Sequence, residues 1–320
     1  MNSGFNAVLK FNTAGYIMNI NNEKFNPGTK FKPKGNGLGI ENALKRLIIV
    51  RPSTWKTYSK VFKVIISGAR LTRYPVIGSI YKGVMMFSPY KKRFTQGVVV
   101  NLNVDLTEKG QGTVLPIDMM KKSVREASYL ASFDSCICRT NKGCKDYPVD
   151  FGCIFLGEGA KGLVKNGVAH TISASEAEAK IDRAAELGLV GQSLWVEVEQ
   201  YIWGIQNEHM EKFLEFCFCC PCCCTALHVT KNSTRDVRGR FKSLGWMAEV
   251  NDNCINCGKC IEVCPQHAIK SDGDKAVIDD QCFGCGLCKN VCPASAIDIK
   301  LKKELKNDIK DYFTGLNLEL

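Results

Sequence analysis

The chemistry in this 320-residue chain is concentrated in its eighteen cysteines. Eight of them form two runs of identical spacing, Cys254-Ile-Asn-Cys257-Gly-Lys-Cys260-Ile-Glu-Val-Cys264-Pro265 and Cys282-Phe-Gly-Cys285-Gly-Leu-Cys288-Lys-Asn-Val-Cys292-Pro293. A loop with a thiolate at every third residue can wrap three irons of a four-iron, four-sulfide cube while its backbone N–H groups point at the sulfides. The fourth iron faces away from the loop and takes its ligand from elsewhere, and a proline then turns the chain. A pair of zinc sites is the alternative, disfavoured because the full four-cysteine pattern with its proline occurs twice.

The two runs belong to a repeat with an offset of 28 residues, in which Asp252, Gly258, Val263, Ala268 and Ile269 recur as Asp280, Gly286, Val291, Ala296 and Ile297. The duplication predicts a pseudo-two-fold module over 246–300. Strands near 248–250 and 296–300 should pair, and Ser271-Asp272-Gly273-Asp274 should turn a hairpin between 268–270 and 276–278. The doubled C-x2-C-x2-C-x3-C-P pattern resembles the bacterial ferredoxins that carry two [4Fe–4S] clusters. The resemblance implies crossed ligation, with Cys254, Cys257, Cys260 and Cys292 on one cluster and Cys282, Cys285, Cys288 and Cys264 on the other.

Ten further cysteines lie upstream: Cys136, Cys138, Cys144 and Cys153 are separated, whereas Cys217, Cys219, Cys220, Cys222, Cys223 and Cys224 crowd into eight residues. A core uses cysteine as a scattered small hydrophobe; this density instead points to a soft metal or to thiol–disulfide chemistry. A third iron–sulfur cluster, a zinc ion, a redox dithiol and a structural role all remain open. Adjacent cysteines strain when both chelate one ion, so some of the block should be spare.

The elements expected to place these thiols give an α+β reading. A helix should run from Pro116 to Leu130 with Asp118 as its cap, and another over 174–187, opened by a Ser173/Glu176 capping box and closed by Gly188. Strand character returns at Leu189-Val190 and 195–198, followed by a short helix near 208–216. Together with Leu115-Pro116, Cys136-Ile-Cys138-Arg139, Cys153-Ile-Phe-Leu-Gly157 and Ala185-Glu186-Leu187-Gly188, the thiol block ahead of the paired runs resembles a family of uncharacterised ferredoxin-type proteins of anaerobic bacteria and archaea. That resemblance covers roughly residues 114–300. Relatives show Cys-Asn-Cys-Cys where this chain has Cys217-Phe218-Cys219-Cys220, which leaves the thiols in place.

Residues 1–115 carry 18 Lys and Arg against four acids, in a chain of net charge +11. Weak strands are expected at 7–11 and 16–20, a Gly- and Lys-rich surface loop at 28–39, a strand at 98–104 and a turn-rich link at 108–113. Within 24–93, lysines and arginines alternate with apolar groups, Trp55 and several tyrosines. An anionic membrane surface, an acidic protein partner, or an ordinary basic domain with its own core would each explain this. Nucleic acid is not favoured, because no recognition motif is present. The expected organisation is a basic region to 114, a Cys-rich α+β domain over 115–245, the two-cluster module over 246–300 and a charged helix or tail over 301–320.

Cluster ligation needs free thiols and hence a reducing, cytoplasmic setting, with peripheral attachment to the inner face of the membrane as an option. No signal peptide and no uncharged apolar run of spanning length is evident. His170, His209, His228 and His267 are isolated, and no hydrolase or radical-enzyme motif is present. The functional expectation is an electron-transfer protein working with unidentified redox proteins, with a reductase component or a redox or metal sensor as alternatives.

Overall fold

Two neighbouring strands buried at all six positions, β1 (Gln96–Asn101) and β5 (Val190–Trp195), belong to a sheet covered on both faces. The computed structural model describes residues 49–84, 95–104 and 115–320. With β2 (Leu130–Ser132), β3 (Ile154–Leu156), β4 (His170–Thr171), β6 (Leu214–Cys219) and β7 (Phe241–Ser243), these strands form a seven-stranded mixed sheet of order β4-β2-β3-β6-β5-β1-β7. All neighbours are antiparallel except β1 and β7, which run parallel. The fold is therefore α+β. Its sheet draws strands from both sides of residue 114, so β1 belongs with the Cys-rich domain.

The helices Pro116–Glu126 and Ala174–Glu186 bury Met119, Met120, Val124, Ala177, Ile181 and Ala184 in the main core. The second has the expected capping box: the Ser173 hydroxyl accepts from the Glu176 N–H at 3.2 Å, and the Glu176 carboxylate accepts from the Ser173 N–H at 2.7 Å. The first stops four residues short of Leu130, which starts β2 instead. Leu115 rather than Asp118 takes its cap position, and Pro116 fills the first helical position, where its missing N–H costs nothing.

The expected helix over 208–216 is also replaced, by a short 3₁₀ turn (Asn207–Lys212) followed by β6. The period-two pattern wins there. Leu214, Phe216 and Phe218 join the main core, while Glu215, Cys217 and Cys219 alternate with them onto the opposite face. The strand expected over 98–104 begins and ends earlier, because the Asn103 N–H donates to the Asn101 side chain at 2.9 Å and turns the chain.

The C-terminal module also has the expected pairings. β8 (Trp246–Val250) lies antiparallel to β11 (Ile297–Leu301), and β9 (Ile269–Ser271) to β10 (Ala276–Ile278). Its duplication shows in the backbone. Left-handed residues recur at the same offset as the sequence repeat: Asn256 and Gly284, Gly258 and Gly286, His267 and Ser295.

Residues 301–320 hold a single short 3₁₀ turn (Ile309–Tyr312) and are not a free tail. Ile309, Tyr312, Phe313 and Leu318 are buried in the sheet domain's core, the Tyr312 hydroxyl donates to the Leu244 carbonyl at 2.7 Å, and the Thr314 N–H donates to Gln96 at 2.9 Å. The apolar residues scattered among the charges supply this anchoring. The strands expected within 1–23, the 28–39 loop and the 108–113 link lie outside the described residues.

Replacing Ser173 by Ala should remove the capping box at a cost of about 1 kcal/mol. The expected result is a drop in Tm of roughly 2–4 °C; an unchanged melting curve would show that the cap carries no weight.

Candidate metal centre

Each half of the module closes a tight loop around one set of thiols. Cys254, Cys257, Cys260 and Cys292 line one cavity, and Cys264, Cys282, Cys285 and Cys288 line the other, so the last cysteine of each run sits with the opposite run. Backbone amides reach four of these sulfurs in two symmetry-related pairs. Ala248 N–H donates to Cys282 Sγ at 3.4 Å, and Ala276 N–H to Cys254 Sγ at 3.5 Å. Ala268 N–H donates to Cys264 at 3.4 Å, and Ala296 N–H to Cys292 at 3.2 Å. Such bonds stabilise negative charge on sulfur and raise the reduction potential of a cluster held there.

The two cavities differ in surroundings. Cys257 is exposed and the neighbouring Ile255 is 64% exposed, so the first cavity opens towards solvent. The second is bounded by Phe283 and Leu287, which pack with Cys219, Cys224, Leu227 and Phe241 beneath the sheet. Burial pushes the Cys285 thiol well above its ordinary pKa.

The upstream thiols separate into two groups. Cys144, Cys220, Cys222 and Cys223 have their sulfurs within 4.8 Å of one another, at the turn after β6. The adjacent Cys222 and Cys223 do converge, contrary to the expectation that neighbours in sequence would not share a site. The turn at 221–223 separates their environments, with Cys222 exposed and Cys223 buried. The remaining six, Cys136, Cys138, Cys153, Cys217, Cys219 and Cys224, line a cavity of about 130 Å³ between β6 and the helices Trp55–Ser67 and Thr225–Asn232. Cys220 also reaches its wall.

Local structure explains each placement around this cavity. Cys217 and Cys219 share a face of β6 with Glu215, Cys153 immediately precedes β3, and Cys224 caps the helix Thr225–Asn232. Cys136 caps the helix Ile137–Lys142, which carries Cys138 and the buried Arg139. The Arg139 guanidinium donates to the carbonyls of Phe218, at 2.9 Å, and Phe151, tying that helix to β6. Close thiol pairs are Cys219 with Cys224 at 2.8 Å and Cys153 with Cys217 at 3.1 Å. The hydrogen bond from Cys138 holds Cys136 down to about 6, whereas burial pushes Cys219 well up.

Two acids complete the cavity. The Cys217 thiol donates to Glu215 Oε1 at 2.8 Å, and burial, with the nearby Glu215, pushes the Glu199 carboxyl well up. Neither acid was singled out by sequence reasoning. The alternation Glu215-x-Cys217-x-Cys219 carried the signal for one of them, since a strand places all three on one side. No histidine belongs to either thiol group; His170 instead pairs with Asp134 at 2.8 Å on the surface.

The family comparison covers the module. Residues 248–299 are a 4Fe-4S dicluster domain. The cysteine-rich region with its candidate metal sites precedes this domain. No curated protein and no solved structure matches the chain. The eight thiols, in two cavities lined by four each, fit the two [4Fe–4S] clusters that the dicluster domain implies.

Gly284 has φ +73°, and a Cβ there would lie 2.0 Å from the Trp246 carbonyl oxygen. Gly284→Ala should therefore shift the second run away from β8 and lower cluster occupancy. Iron analysis checks this; full iron content with an unchanged Tm would show that the loop tolerates the methyl group.

Proposed function

We propose that this chain is an iron–sulfur electron-transfer protein. Cys254, Cys257, Cys260 and Cys292 hold one [4Fe–4S] cluster, and Cys264, Cys282, Cys285 and Cys288 hold the other. When bound, the clusters supply reversible one-electron transfer without requiring a side-chain acid or base. The observation that carries the reading is the convergence of four thiols on each module cavity.

The protein supplies different surroundings at the two ends. Exposed Ile255 and Cys257 leave the first site open to a redox partner. Phe283, Leu287 and Phe241 exclude water from the second and join it to the thiols of the sheet domain. A reductase component is the second reading, favoured by the thiol-lined cavity at that end. The separate group Cys144, Cys220, Cys222 and Cys223 suits a single tetrahedral ion such as zinc, for which Zn–S bonds of about 2.3 Å place sulfurs roughly 3.8 Å apart; Cys144 and Cys222 stand 3.7 Å apart.

A contact with an anionic membrane surface belongs to the same proposal. Val64, Val76, Ile77 and Ile80 are exposed on a segment that also presents Lys56, Lys60, Lys63, Arg70 and Arg73, and residues 49–84 contain no acid. Among the described residues, no helix is long and apolar enough to cross a membrane. The full chain should cosediment with anionic vesicles at low salt and be released at high salt; equal binding to neutral vesicles would remove the electrostatic basis.

Cys257→Ser should lower or alter one module cluster and spare the other, seen in iron content and low-temperature EPR of anaerobically purified protein. An unchanged spectrum and iron content would contradict the ligand assignment. Cys222→Ser should leave both module clusters intact.

A further inference from the structure

The sheet domain encloses more thiols than one metal ion can use, and their arrangement separates two kinds of site. One tetrahedral ion draws its thiolates to within about 4 Å of each other. That condition is approached by Cys144, Cys220, Cys222 and Cys223 at the surface turn. Among the described residues, no three of the six cavity cysteines meet even a 4.8 Å limit; the only triad there is Cys153, Cys217 and Glu215. The six instead surround a space of about 130 Å³, comparable with an engineered cavity of about 150 Å³ that accommodates benzene. That is too much room for a single ion.

Buried polar groups on the cavity wall and on the neighbouring strand β5 find no partner within the protein. Gln192 lies opposite Cys217 in the β5–β6 register, is 1% exposed, and neither of its amide atoms finds a hydrogen-bond partner. Such an orphaned amide inside a sheet domain is costly. Glu199 Oε2 and Arg139 Nε, on the cavity wall, also lack a partner of normal geometry. Arg139 brings a buried positive charge to within reach of Cys136, Cys153 and Cys220. A cluster held by several thiolates is anionic and presents sulfides as acceptors, so a buried guanidinium and an amide N–H are the groups it would use.

We propose that this cavity is a third iron–sulfur site, in which a polynuclear cluster is held by thiolates drawn from Cys136, Cys138, Cys153, Cys217, Cys219 and Cys224, separate from the four-thiol ion site. The site adjoins the module directly. Cys219 and Cys224 share one apolar cluster with Phe283 and Leu287, and Cys285 packs against it. The six thiols include two close pairs, Cys153 with Cys217 and Cys219 with Cys224, so the cluster takes some of the six and not all of them. The proposal deepens the electron-transfer reading by giving the second module site a neighbour inside the same chain.

The test is iron, acid-labile sulfide and zinc analysis with low-temperature EPR on the full chain, purified anaerobically. Two four-iron clusters account for about eight irons. The proposal requires about four or more beyond these, with a signal distinct from the module's, and about one zinc or iron at the four-thiol group. Cys217→Ser and Cys224→Ser should each lose the extra iron and its signal while keeping the eight module irons, which report that the chain has folded. Cys222→Ser should keep the extra iron.

A wild-type chain with about eight irons and no third signal overturns the proposal, whether or not the variants fold. Loss of the extra iron in Cys222→Ser, with retention in Cys217→Ser and Cys224→Ser, overturns the division into two sites. Failure of the electron-transfer reading looks different: the module's own irons would be missing, and Cys257→Ser would change nothing.

Discussion

A buried thiolate is stable only where positive charge shares its space, and that constraint governs how this chain folds. Cysteines occupy the buried face of β6, the caps of two helices and both loops of the module, positions a small hydrophobe would fill in an ordinary core. The protein meets part of the demand with backbone amides in the module and with Arg139 in the sheet domain. In the module, the two clusters that the dicluster domain implies would supply the remainder, and ligand thiolates held in this way couple folding to metal binding. Burial raises Cys219 and Cys285, which favours their neutral thiol forms.

β6 is where the two halves of the molecule meet. One of its faces inserts Leu214, Phe216 and Phe218 into the main core, and the other presents Glu215, Cys217 and Cys219. Helix Thr225–Asn232 follows from the same segment and reaches the module, where Lys231 Nζ donates to the Glu262 carbonyl at 2.6 Å and His267 Nε2 pairs with the Lys231 carbonyl at 2.8 Å. A strand that both completes a core and displays thiols cannot slip by one residue without losing both.

Legibility in the sequence tracked how local each signal was. The module's pairings and turn followed from the repeat, and the capping box located the helix after Ser173, because the relevant partners lie within a few tens of residues. The helix ending at Glu126 and the strand at Leu214–Cys219 depended on pairing with β3 and β5, which no local pattern reports. The upstream thiols could be counted but not sorted. Cys144 joins Cys220, Cys222 and Cys223 across 76 or more residues, and Gln192 and Glu199 acquire their significance only from burial beside them. The C-terminal twenty residues misled because their charges outnumber the few apolar side chains that anchor them.

That C-terminal anchoring has a kinetic consequence. The chain enters the module from β7 through Gly245 and leaves it by β11, after which Tyr312 and Phe313 fasten to the sheet domain. Both ends are thus tied to the same body, and Gln266 adds a clasp by donating to the Arg238 and Phe241 carbonyls at 3.1 and 3.2 Å. A carrier hung on a single linker must diffuse to its acceptor, so its turnover slows with solvent viscosity. Here the separation between the module and the thiol-lined cavity is held at two points, so electron exchange with the cluster we propose there would be tunnelling at constant distance, insensitive to viscosity.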